Sequence, residues 1–144
     1  MRDYRVAIEK NPNTPAAVSQ AIQLIGGMTS LIDPGQTVMI KPNCLTQVYT
    51  PGTVTSKEVV AALALLVTEA GGKAVVAENN LAYDPSAKGF ESSCGRHYHD
   101  ALAELGLAKR VPLYDLMADE MVDVQIVGAR VFKETKIANN MRVS

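Results

Sequence analysis

Two short, uninterrupted apolar runs, Val38-Met39-Ile40 and Ala74-Val75-Val76-Ala77, bracket a stretch with helical spacing. That order restricts the fold more than any other feature of the chain. A continuous apolar run suits a strand covered on both faces, as parallel strands are. Between the runs, Val59, Leu63, Leu66 and Val67 supply one apolar helix face, and Gly71-Gly72 ends it. Thr55 with Glu58 three residues later reads as the capping box that opens this helix. Strand, helix, strand implies a right-handed crossover and two parallel neighbours.

The pattern extends in both directions. Tyr4, Val6 and Ile8 alternate with polar residues, the period-two signature of a strand. Asn11-Pro12-Asn13 breaks it, and Thr14-Pro15 predicts a helix start with Thr14 as the N-cap. Val18, Ile22, Ile25 and Met28 then form a stripe that Gly26-Gly27 weakens, and Asp33-Pro34-Gly35 predicts a turn. After the second apolar run, residues 79–95 read as a loop, followed by a helix with Tyr98, Leu102 and Leu105 on one side and Gly106 at its end. Val111 to Tyr114 predicts a further short strand. Val122, Val124 and Ile126 alternate, Gly128 turns, and Val131-Phe132 runs back as a hairpin. The expected fold is therefore α/β, with a mainly parallel sheet, helices on both faces and a C-terminal antiparallel hairpin. At 144 residues, 1–144 reads as a single domain.

Composition narrows the function classes. A net charge of −1, with no basic run, gives nucleic acid little to bind. No run of about 18 apolar residues is present to span a membrane. The opening residues pass into the first strand without a signal-type segment, so the expectation is cytoplasmic. Two cysteines, Cys44 and Cys94, lie fifty residues apart and outside any Cys-x-x-Cys pair. A zinc site or iron–sulfur cluster held by this chain alone is not expected.

The candidate chemistry gathers where strands end. Lys41 closes the first apolar run and is either a cation aimed at a carboxylate or phosphate, or an exposed strand-end lysine. The loop from Pro42 to Val54 is long for a compact domain, and such loops are often functional. Asn43, Thr53 and Thr55 offer amide and hydroxyl groups to the same ligand, Thr55 also being the expected cap. A helix N-terminus nearby favours an anion by about 0.3–1 kcal/mol. Glu78 ends the next strand beside Lys41 if the two strands are neighbours. That pair would tune proton transfer, hold a metal, or be an ordinary salt bridge. His97 and His99, two apart on a helix, point to different sides and cannot chelate one ion together. No glycine-rich phosphate loop is present.

Val38-Met39-Ile40-Lys41-Pro42-Asn43, then Pro51-Gly52-Thr53-Val54-Thr55, Glu58-Val59-Val60 and Val75-Val76-Ala77-Glu78, resemble the N-terminal half of the domain of unknown function 362 family. Phe90-Glu91-Ser92, Gly95 and Ala101 to Gly106 continue the resemblance, which covers roughly residues 4 to 137. Ser56-Lys57 departs from the His-Pro or Asp-Pro common in the family. The family usually continues into another strand and a Lys-Thr-His segment, so this chain is expected to be an N-terminal portion. The resemblance implies an iron–sulfur-linked, oxidoreductase-like system, with the cluster in a partner or a missing module. Their common location at strand and helix ends makes Lys41 and Glu78 the expected reactive pair, with Asn43, Thr53 and Thr55 binding a small anionic molecule. Further possible partners are a ferredoxin-like protein docked by a non-catalytic domain, the missing C-terminal segment, or a second copy of the chain.

Overall fold

Asn13 starts the first helix. The computed structural model describes residues 5–44, 49–78, 94–116, 118–128, 130 and 134–138, with only the backbone at Cys94 and Ala138. The Asn13 side chain accepts the Ala16 N–H at 2.9 Å, and α1 follows as Thr14–Leu24. Thr14 is thus the first helical residue and not the expected cap. Asn13 wins because its amide is already oriented, its own N–H donating to Asn11 Oδ1 at 2.9 Å. Positive φ at Gly26 and Gly27 breaks the helix, so Met28 falls in a separate 3-10 turn, Met28–Ser30.

Three parallel strands form the main sheet: β1 (Thr37–Ile40), β2 (Lys73–Glu78) and β3 (Leu113–Asp115), in the order β1-β2-β3. The crossovers carry α2 (Lys57–Glu69) and α3 (Cys94–Glu104). α2 packs against β1 and β2, and both α1 and α3 pack against α2. Of the helices expected on both faces, these three share their contacts through α2. Strand alternation turns Ile40, Ala74 and Val76 toward α2, into one cluster with Val60, Ala64 and Val67. Met39, Ala77 and Leu116 form a smaller cluster on the opposite face. Each fully buried branched side chain contributes about 1.5–3 kcal/mol, so the α2 face holds the larger share of the stability.

A separate antiparallel pair, β4 (Met121–Gln125) with β5 (Glu134–Ala138), is the expected hairpin. Its return strand begins at Glu134; Val131 and Phe132 lie outside the described residues, as do residues 79–93 of the stretch expected to be a loop.

Two further expectations are overturned. No strand is found over residues 5–10, where Val6 and Ile8 are 86% and 87% exposed. Alternation makes a strand only where a ladder partner and a core face are available; Ala7, Ile8 and Glu9 instead line a groove with α1. Leu105 is 46% exposed, and Leu107, at 4%, fills the core in its place. Here the Leu107 N–H bonds back to Leu102 O at 2.8 Å, which swings Leu107 inward past Gly106.

Gly72 marks a tight crossing between α2 and β2. A Cβ there would stand 2.7 Å from Ile32 Cδ1, 3.0 Å from Val67 Cγ1 and 3.2 Å from Val67 O. The Ile32 methyl can swing away, but the carbonyl cannot. Gly72→Ala should therefore cost about 1–3 kcal/mol, read as a lower urea midpoint with an unchanged slope. An unshifted midpoint would show that the crossing relaxes freely.

Candidate functional site

Register builds this site. Ile40, the last residue of β1, pairs with Val76 in the parallel ladder, so Lys41, the next residue, stands close to Glu78, two residues beyond Val76 at the end of β2. Lys41 Nζ donates to Glu78 Oε2 at 2.5 Å, with the lysine side chain 50% exposed and the glutamate 2%. The sequence expectation that consecutive strand ends would meet is thus met geometrically. A carboxylate this deep is tolerated because it is paired and hydrogen-bonded. Its cation keeps one side in water.

Asn43 and Thr55 close the loop between β1 and α2 by exchanging two bonds. The Asn43 N–H donates to Thr55 Oγ1 at 2.8 Å, and the Thr55 N–H donates to Asn43 O at 3.0 Å. Asn43 Nδ2 also donates to Thr53 O at 3.3 Å. The Thr53 hydroxyl donates to Thr50 O at 2.9 Å, back across Gly52. Thr53 therefore braces the loop, whereas Thr55 Oγ1 and the exposed Asn43 side chain stand at its mouth.

Thr55 does not cap α2. Its hydroxyl is committed to Asn43, so the helix begins one residue later, with Ser56 at the N-cap position and no side-chain cap bond. The capping-box reading fails here for a local reason. Ser56 Oγ donates to Glu58 Oε2 at 2.6 Å instead of accepting from the helix. Tyr49 supplies what the serine does not, its Oη accepting the Lys57 N–H at 3.3 Å. The Tyr49 ring also stacks on His97, with centroids 4.8 Å apart and planes tilted by 34°. His99 lies on the exposed surface near Asp100, so the two histidines serve different surroundings.

The Ser56 hydroxyl, helped by Glu58's own N–H, holds the Glu58 carboxyl below its ordinary value. A depressed folded-state pKa contributes stability above the unfolded value, lost as pH falls through the folded one. Glu58→Gln should therefore flatten the acid limb of a stability–pH curve measured by urea melts. An unchanged acid limb would dismiss Glu58 as a contributor.

Two residues of this region, Tyr98 and Asp115, were missed as parts of the site by sequence reasoning. Tyr98 is wholly buried, and its hydroxyl donates to Thr55 O at 3.0 Å. Cys44 Sγ lies 3.5 Å from Tyr98 Oη. A tyrosine has one hydroxyl hydrogen, and the carbonyl can only accept, so the thiol is the donor to Tyr98 Oη. Periodicity sees the Tyr98 ring and is blind to its hydroxyl. Asp115, which ends β3, is the register partner of Glu78. The strand-end logic that joined Lys41 to Glu78 extends to it once the third strand is placed.

Among the described residues, no group of three or more His, Cys, Asp or Glu side chains is arranged to hold a metal ion. Nor is any described helix long and apolar enough to cross a membrane.

The chain is 42% identical over 131 residues to the thylakoid-associated protein sll1697 of Synechocystis sp. (strain ATCC 27184 / PCC 6803 / Kazusa). The alignment takes in 90% of this chain and 35% of that relative, so the chain spans about a third of the relative's length. No solved structure matches. The family model for the domain of unknown function (DUF362) matches residues 38–143, from within β1 onward, and the chain belongs to that family.

Proposed function

We propose that the carboxyl end of the β1-β2 sheet binds a small anionic molecule, as one part of an iron–sulfur-linked, oxidoreductase-like system. The observation that carries this reading is the half-exposed Lys41 side chain, paired with buried Glu78 two residues before Asn43, where the loop closes on Thr55. In this reading Lys41 receives the anionic group, and Asn43 and Thr55 orient it. Thr53 keeps the loop in shape, and Glu78 serves as acid, base or metal ligand. The α2 N-terminus adds about 0.3–1 kcal/mol for an anion within its first turn. Glu78 already offsets one charge, so affinity rests on the exposed side of Lys41 and is modest.

An iron–sulfur cluster does not fit this chain alone. Such clusters are held by about four thiolates, whereas the sequence has two cysteines and Cys44 is buried against Tyr98. The redox centre is assigned to a partner or a further module. The relative's name associates that protein with thylakoids, and we extend the association to this chain.

Amide NMR titration with acetate, lactate and inorganic phosphate tests the anion site. Shifts should cluster at Lys41, Asn43, Thr55 and the first turn of α2. They should vanish in Lys41→Gln, whose spectrum otherwise overlays the parent. Perturbations scattered elsewhere, or retained in that variant, would refute the site.

A further inference from the structure

The alternation that sends Ala74 and Val76 toward α2 sends Lys73, Val75 and Ala77 to the other face of the sheet. The ladder extends each of these residues sideways. Lys73 pairs with Thr37, Val75 with Met39 and Ala77 with Tyr114. Arg110 and Pro112, just before β3, line the same face. Its chemistry therefore changes along the strands. Hydroxyl and cationic groups stand at the strand starts, apolar groups follow, and an aromatic ring lies beyond them. Lys73 and Ala77 are four residues apart on β2, about 13 Å.

Parallel sheets are ordinarily covered on both faces. Here Met39 and Val75 are partly exposed and Tyr114 is 41% exposed. Together these residues enclose a cleft of about 340 Å³. An apolar floor of that size with a few convergent polar groups is the ordinary make-up of a small-molecule site. Two cations and no acid line it, and neither cation joins an ion pair among the described residues. The Arg110 guanidinium is a planar fork that matches a carboxylate or phosphate, and the Lys73 ammonium adds a point charge.

We propose that this cleft binds a small molecule with a flat apolar body and a phosphate or carboxylate at one end. The anionic group meets Lys73 and Arg110, and the body lies on Met39, Val75 and Tyr114. The cations stand at the amino ends of the strands, whereas Lys41 and Glu78 stand at the carboxyl ends of β1 and β2. Occupancy of the cleft does not depend on the Lys41 site.

Amide NMR titrations with 1-naphthyl phosphate, 1-naphthol and inorganic phosphate provide the test. The first probe carries both halves of the expected ligand and the others one half each. Shifts from 1-naphthyl phosphate should map to residues 37–39, 73–77 and 110–114, with a Kd of about 0.1–1 mM. The two single-feature probes should bind this face about tenfold or more weakly. The double variant Lys73→Gln/Arg110→Gln, at two exposed positions, should weaken 1-naphthyl phosphate by about tenfold and leave 1-naphthol unchanged. Tyr114→Ser, also exposed, should weaken both aromatic probes by about threefold or more. Circular dichroism of both variants should match the parent. Absence of saturable shifts on this face up to about 10 mM 1-naphthyl phosphate would overturn the proposal. So would inorganic phosphate binding there as tightly, or affinity untouched by the double variant. Self-association of the chain that Tyr114→Ser abolishes would give the face to a second copy and overturn it too.

Discussion

Tyr98→Ala should destabilise the protein by about 3–5 kcal/mol, the range for removing a large ring from a filled core. The ring is wholly buried in the cluster that α3 shares with α2 and the sheet. Tyr98→Phe separates the hydroxyl from the ring and should cost only about 0.5–1.5 kcal/mol. Its effect should be concentrated on the loop mouth, because the lost donor served Thr55 O and the lost acceptor served Cys44. Amide shifts at Asn43 and Thr55, with the rest of the spectrum unmoved, are the expected signature. Equal losses of stability in the two variants would mean that the hydroxyl carries the whole effect. A silent Tyr98→Phe would mean that it carries none.

Lys41→Ala should cost about 1–3 kcal/mol, the penalty for stranding a buried polar partner. The figure lies below the 3–5 kcal/mol of a fully buried pair, because half of the Lys41 side chain is already in water. Most of the loss comes from Glu78, left in a 2% exposed position without its cation. Adding Glu78→Gln to Lys41→Ala should therefore recover stability, although it removes a second native side chain. Chemical denaturation of the four proteins in this cycle reads the coupling directly. A double variant no more stable than Lys41→Ala would contradict the stranded-carboxylate account.

The order of elements from β1 to β3 was legible because parallel strands and their crossover helices leave unmistakable apolar runs. The meeting of Lys41 and Glu78 followed from one further step, that consecutive strands lie side by side. What stayed hidden depends on which partner a polar group selects. Thr55 and Ser56 both suit a cap, yet Asn43 claims the first and Glu58 the second. Tyr49 then reaches from outside the helix to take the Lys57 N–H. The segment at Val6 and Ile8 shows the converse failure. Its alternation is intact, but a strand is a property of two chains in register and not of one.

The paired bonds between Asn43 and Thr55 divide the loop into a fixed rim and an interchangeable tip. Once both ends are pinned, doubling the chain between them costs only about 0.6 kcal/mol of closure entropy. Within one scaffold, that freedom would let selectivity for a ligand diverge without rebuilding the charged pair beneath it.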